Sequence, residues 1–343
     1  MIVIKTRKKP KPRRGVYELY WRFASRRQAA FERRLAGKCA PWSDDPILQE
    51  FKFCNVYRAA DRVSQYMIRN VCYAEDAGSP ADRAFQIVAF RTFSKIRTWE
   101  KLTTLLDGPP RIQDLADGRF VAALNQIKRE DGGLYTGAFI LCANKAFGHD
   151  EKHHNHAALF EKMFVQDAVA DRLIGANAFE SIVRTLEGYP LMGPFMAYQT
   201  AVDLNYSELT DFSENDYTQA GPGAVRGLAK VFEDLGDYTP SEAIKLMVDQ
   251  QEAEFERLDL PFLGLFGRPL HAIDCQGLFC ETDKYCREAA PELASNRSRI
   301  KARYRPSSTS LELFFPPKWR LAPPVRTMPA GSLQAQPDLF ASA

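Results

Sequence analysis

Apolar residues return at three- and four-residue intervals in ten separate segments of this 343-residue chain. Nowhere do they alternate with polar residues over a run long enough to build a sheet. The segments are 17–36, 55–73, 82–97, 99–106, 157–173, 176–187, 191–206, 222–235, 240–257 and 271–289. That period predicts a mainly α protein in which each helix buries one face. The connecting stretches "DAGSPAD", "DGPPR" and "EDGG" hold the residues that stop helices. In "PWSDDPIL", Ser43, Asp44 and Asp45 are candidate helix caps.

The chain is long enough to bury a sizeable core. No apolar run approaches the ~18 residues of a membrane span, and the basic N-terminus lacks the apolar stretch of a signal peptide. A location inside a bacterial or phage-infected cell is expected, with no membrane partner. The seven cysteines are odd in number and scattered, which predicts free thiols rather than a disulfide framework. Three regions are expected: a basic disordered arm at 1–14, a helical body at 15–306, and a Pro- and Ser-rich irregular tail at 307–343. The net charge is only +3, but its distribution is uneven. Lys5, Arg7, Lys8, Lys9, Lys11, Arg13 and Arg14, followed by Arg22, Arg26, Arg27, Arg33 and Arg34, suit contact with a polyanion or a solvated tail.

Five stretches bear chemistry. "LMGPFMAYQ" (191–199) places Met192, Gly193 and Pro194 in a turn between two helices, with Phe195, Tyr198 and Gln199 behind it. Backbone amides at such a helix start can bind a phosphate, although Gly-Pro turns also join helices with no ligand. The turn resembles the helix-hairpin-helix of DNA glycosylases, in which an essential Asp follows; Asp216 stands in that place. "AGPGAVRGLAK" (220–230) offers Gly221, Gly223 and Arg226 at a second helix start, but it is not a Walker A loop. "FKFCNVYRAADRVSQY" (51–66), read as a helix, lines up Asn55, Tyr57, Arg58, Asp61, Arg62 and Gln65. "GHDEKHHNH" (148–156) holds four histidines, yet it lacks a zinc-binding pattern and reads as a loop.

The fifth, "HAIDCQGLFCETDKYCRE" (271–288), has a C-x4-C-x5-C spacing that fits neither zinc nor an iron–sulfur cluster. On a helix its polar stripe is Asp274, Gly277, Glu281, Lys284 and Glu288, with Asp274 and Glu281 two turns apart. That stripe is either an ion-pair ladder or one wall of a cleft. No metal or cofactor is expected.

"PWSDDPIL", "FKFCNVYRAADRVSQY", "AGPGAVRGLAK" and "LFGRPLHAIDCQGLFCETDKY" resemble the α-glutamyl/putrescinyl thymine pyrophosphorylases and the helical domain of 5-hydroxymethyluracil DNA kinases. The resemblance runs from about Tyr17 to Pro306. It implies a fold related to helical DNA glycosylases and a part in thymine hypermodification of DNA. The reaction it implies replaces pyrophosphate on a modified uracil with an amine from an amino acid or polyamine. Under that reading Asp216, Asp274 and Glu281 are catalytic, with Asp274 and Glu281 on the amine donor. Met192, Gly193, Pro194, Phe195, Gly221, Gly223 and Arg226 hold DNA or phosphate. Asn55, Tyr57, Arg58, Asp61, Arg62, Gln65, Tyr198, Gln199 and Lys284 bind the substrate, with Arg58, Arg62 and Arg226 neutralising the leaving pyrophosphate and Tyr57, Phe195 or Tyr198 stacking on the base. Two alternatives stand: a non-catalytic module that reads modified DNA beside a separate kinase, and a base-excising glycosylase. Against the last, no lysine lies near the hairpin for lyase chemistry.

Overall fold

A computed structural model of the chain describes residues 7–136, 145–293, 297–307 and 311–322. The expected helices dominate it. They are α1 (Val16–Leu35), α2 (Pro46–Glu50), α3 (Arg62–Met67), α4 (Pro80–Phe93), α5 (Ile96–Leu105), α6 (Ile112–Ala116) and α7 (Arg119–Asp131), then α8 (Lys152–Phe160), α9 (Val169–Ile174), α10 (Phe179–Glu187), α11 (Pro194–Tyr206), α12 (Pro222–Val231), α13 (Pro240–Arg257) and α14 (Ala272–Ala289). The sheet content among the described residues is one antiparallel pair, β1 (Lys11–Pro12) with β2 (Phe232–Asp234). No helix of the described residues is long and apolar enough to cross a membrane.

Local chemistry sets the helix starts. Asp45 caps α2, accepting from Ile47 N and Leu48 N, while Ser79 and Thr239 close capping boxes with Asp82 and Glu242. Proline opens α2, α4, α11, α12 and α13, where its missing N–H costs nothing. The core is aromatic. Tyr20 and Trp21 of α1 meet Phe279 of α14 and Phe255 of α13, with ring centres 4.7 and 5.1 Å apart. Around α4, Phe85 and Phe93 pack with Phe120 of α7 and Phe160 of α8. Helix α11 lies against α4, α10 and the 68–72 turn.

Several expectations need correction. Residues 55–73 do not form one helix: a loop leads to a 3-10 turn at Arg58–Ala60, then α3, then a π turn at Ile68–Cys72. The early amides of this stretch bond to carboxylates, some of them distant in sequence, instead of to helix carbonyls. The 157–173 segment starts earlier, at Lys152, so His153, His154 and His156 are helical; it then breaks at Ala168, whose φ is 44°. The 222–235 segment leaves helix at Val231 and continues as β2. Helices α6 and α7 fill a region in which the pattern suggested none.

The basic arm is seated where it is described. Arg13 N donates to Val231 O at 2.8 Å, Lys11 pairs with Glu233 and Arg7 with Glu242 at 2.5 Å, and Lys8 pairs with Asp234. A composition rich in cations cannot reveal that acids at 233–242 await them. The tail also packs: Phe315 is buried and Pro317–Trp319 makes a 3-10 turn. Residues 1–6, Cys142 and the tail from 323 lie outside the described residues.

Helix α12 approaches α14 closely because two glycines face it. A Cβ on Gly223 would overlap Cys280, and one on Gly227 would overlap the Phe279 carbonyl. The glycines read as a phosphate loop thus serve, at position 223, to bring two helices together.

Candidate functional site

Helix α11 is buried at every position from Ala197 to Tyr206, so its polar side chains need partners inside the protein. Asn205 finds them locally, accepting from Phe212 N and donating to Phe212 O, both at 2.9 Å. Asp203, wholly buried, finds two arginines. Arg58 Nη1 lies 2.7 Å from Asp203 Oδ1, and Arg91 Nε, from the apolar run "FQIVAFRTF" of α4, meets Asp203 Oδ2. Arg58 Nε also donates to Gln199 Oε1 at 3.0 Å, and its guanidinium lies 5.5 Å from the Tyr206 ring centre. Two cations share one carboxylate, which leaves this triad by itself with an excess positive charge. Burial lowers the Arg91 pKa. Burial acts on Arg58 likewise, but Asp203 outweighs it and raises that pKa.

Arg58 reaches the centre from a loop, and the polar stripe of α14 holds that loop. Glu281 Oε2 accepts from Cys54 N at 2.9 Å, and Asp274 Oδ1 accepts from Arg58 N at 3.0 Å. Asp274 Oδ2 accepts from His271 N at 3.1 Å and so also caps α14. Asp61 Oδ1 accepts from Asn55 N at 2.8 Å. Asp274 and Glu281 therefore clamp protein backbone two helical turns apart, a role the sequence reading did not give them.

A second ion pair lies alongside. Glu214, buried, pairs with Arg268 at 2.9 Å. The Arg268 guanidinium lies 3.7 Å from the Trp319 ring centre, and Arg268 O accepts from Tyr57 Oη at 2.8 Å. Lys318 donates to Ser207 O at 2.9 Å and Thr210 O at 2.5 Å, so the 315–319 segment covers this side of the centre. Arg58 Nη2, Tyr198 Oη and Thr218 Oγ1 are among the buried groups with no hydrogen bond of normal geometry, although the Tyr198 and Thr218 hydroxyls lie close enough to interact with each other and Arg58 interacts with the Tyr206 side chain. Tyr198 lies in the field of Glu214, Arg58 and Asp274. An orphaned buried polar group costs about 1–3 kcal/mol, so Arg58 Nη2, with no well-aligned acceptor, marks a place that a polar ligand or water would satisfy.

Burial and the nearby Glu214 push the Asp274 carboxyl up to about 7, against the two amides that favour its charge. Burial pushes Asp61 up to about 6. The folded protein therefore keeps protons that the unfolded chain releases near ~3.9. The unfolded state gains by ionising, so the contribution of these two groups falls as pH rises from about 4 to about 7, while His153, His156 and His271, which burial holds at about 4, 3 and 4, take stability away as pH falls below about 6.5. The difference in urea midpoint between Asp274→Asn and wild type is expected to move in favour of the variant from pH 5 to pH 7.5. Groups held low, such as Asp131 and Glu242 at about 2, withdraw their contribution only in stronger acid. A difference that stays constant from pH 5 to pH 7.5 would remove Asp274 as a source of the pH dependence.

The other sequence candidates scatter. Asp216 is exposed, and its carbonyl, not its carboxylate, accepts from Lys245 at 2.6 Å. Glu214, two residues earlier, is the buried acid of this loop. Met192 is in the core, whereas Gly193 and Pro194 are exposed in the α10–α11 turn. Phe195 lies over Gly221, where a Cβ would meet its ring. Arg226 is 3.2 Å from Asp283, with Lys230 and Arg287 on the same carboxylate. Arg62 is exposed. Gln65 donates to Ala59 O and accepts from Phe314 N, both at 2.7 Å; Asn55 donates to Ala60 O at 2.7 Å. Lys284 sits 2.6 Å from Glu281. Tyr57 and Tyr198 are buried, so neither ring offers an open face for a stacked base. His153 and His154 both bond Asn125 Oδ1, at 2.7 and 2.9 Å. No group of three or more His, Cys, Asp or Glu among the described residues could hold a metal ion. The site thus joins Arg58, Gln199, Tyr198 and Asp274 from the sequence reading with Arg91, Asp203, Tyr206, Glu214 and Arg268. The missed ones carried a signal: Asp203 and Arg91 are isolated charges in apolar helical runs.

These features define an all-α domain built around a buried arginine–carboxylate centre. The chain belongs to the family described as "5-hmdU DNA kinase, helical domain", whose model matches residues 14–295. It is similar to the 5-hmdU DNA kinase of Bacillus phage SP10, 26% identical over 309 residues that cover 84% of this chain and 48% of that protein. The chain therefore spans about half the length of that relative. No solved structure matches it.

Proposed function

We propose that this chain acts on DNA carrying 5-hydroxymethyluracil, within thymine hypermodification, and that it receives the modified base at Arg58. The observation that carries the reading is Arg58 itself: a buried guanidinium with one nitrogen lacking a well-aligned acceptor, in a triad of two arginines on one carboxylate, within the segment matched by the family. A base must leave the DNA stack to reach such a centre. A 5-hydroxymethyl oxygen, or a phosphate on it, would supply a well-aligned acceptor for Arg58 Nη2, and the paired Tyr198 and Thr218 hydroxyls would turn toward it. The exposed turn at Gly193 and Pro194 opens α11, which runs nine residues, about 13 Å, inward to Asp203. Its glycosylase-like hairpin role, gripping DNA outside while α11 reaches the base, belongs to this proposal.

Recognition is favoured over amine transfer because Asp274 and Glu281, the acids available for an amine, are occupied by backbone amides. In the transfer reading an amine nitrogen bonds the exocyclic carbon, the carbon–oxygen bond breaks, pyrophosphate leaves with the electron pair, and the nitrogen gives a proton to solvent. One experiment tests both. Duplexes carrying thymine, 5-hydroxymethyluracil or its pyrophosphorylated form are titrated with the protein, then incubated with amino acids and polyamines and digested for mass analysis. Preference for a modified duplex with unchanged nucleoside masses fits recognition. An amine-bearing thymidine establishes transfer. Equal affinity for all three duplexes overturns the proposal.

A further inference from the structure

The sequence "RSRIKARYR" (297–305) places a basic residue at every second position: Arg297, Arg299, Lys301, Arg303 and Arg305. It lies past the end of the family match at 295, so the family assigns it nothing. Its centre is extended: Arg303 bridges antiparallel to Phe51, Lys52 N donates to Ala302 O at 2.9 Å, and Tyr304 N donates to Glu50 O at 2.9 Å. Ile300 is buried and Tyr304 packs on Trp42, so the apolar side is anchored. All five cations are exposed, and Arg303 alone is held in an ion pair among the described residues, with Glu50. The N-terminal arm is the opposite case, because Arg7, Lys8 and Lys11 are neutralised by the chain's own acids.

We propose that residues 297–305 form a cationic rail that follows the phosphate backbone of DNA. Alternate side chains of an extended strand stand about 6.6 Å apart, and each strand of a duplex carries one phosphate per about 3.4 Å of helix axis, so no cation of the rail lies far from a phosphate. The rail borders the site. Its partner residues 50–52 lead directly into the loop that delivers Arg58, and Arg27 of α1 ties that loop at Cys54 O (3.0 Å) and Asn55 Oδ1 (2.5 Å). The choice of DNA as the polyanion rests on the function proposed above; the fit of charge and spacing does not depend on which base is read.

The test uses the full chain and unmodified duplex, so it is separate from base preference. Affinity is measured from 50 to 300 mM KCl for the wild type, for R299Q/K301Q/R305Q and for K8Q/K11Q, with thermal melting of each. Each lost phosphate contact should flatten the log–log salt dependence by about 0.9. The rail triple variant is expected to lower the slope by nearly 3 and to weaken binding at least tenfold at low salt, with K8Q/K11Q unchanged. R299E/K301E, which adds repulsion, should weaken it further. A salt slope equal to wild type in the triple variant overturns the proposal. So does a loss confined to anionic lipid vesicles with DNA binding intact, which would assign the rail to a membrane surface. If wild-type protein shows the rail's slope yet no preference for modified bases, the rail stands and the proposed function falls.

Discussion

Asp203→Asn is expected to remove about 3–5 kcal/mol of stability, seen as a large fall in the urea midpoint at pH 7. The substitution keeps shape and removes one charge. Arg58 and Arg91 would then face each other in a buried place with no counter-ion. Domains are held by only about 5–15 kcal/mol, so this single change approaches the whole margin. The comparison that isolates the cause is the triple variant Arg58→Met, Arg91→Met and Asp203→Leu. An apolar core of similar volume should recover much of the loss, since buried ion pairs seldom outperform packed hydrophobes. It would also abolish preference for modified DNA. An Asp203→Asn protein as stable as wild type would mean that water reaches the centre and screens both cations.

Arg58→Lys is expected to fold and to lose roughly 10–100-fold of the preference for modified over unmodified duplex, the equivalent of about 1.5–3 kcal/mol for a hydrogen bond to a charged donor. Lysine keeps the charge beside Asp203. It cannot reach Asp203, Gln199 and a ligand at once, because that takes the planar fork of a guanidinium. Affinity for unmodified DNA should hardly change, since backbone contacts lie elsewhere. A variant that keeps the full preference would take base recognition away from Arg58.

The helices were legible where one face is apolar over several turns, as in α1, α4, α13 and α14. What escaped was set by residues far away in the chain. The 54–58 loop carries helix-like spacing, but its amides answer to Asp274 and Glu281, more than 200 positions later. The stripe on α14 was visible as a stripe; its occupant, a stretch of backbone, was not. Asp216 fitted a spacing rule, and burial chose Glu214 instead. Asp203 and Arg91 were readable in principle, because an unaccompanied charge in an apolar helix must meet its opposite. Which opposite it meets is a tertiary fact.

The interval between Asp274 and Glu281 acts as a ruler. Seven residues bring both carboxylates to one side of α14, where each grips a different amide of the Arg58 loop. One residue inserted between them would swing the second grip round the helix by about 100° and shift it about 1.5 Å along the axis. A related sequence with a gap inside 274–281 is therefore expected to be a copy that no longer sets its arginine in place.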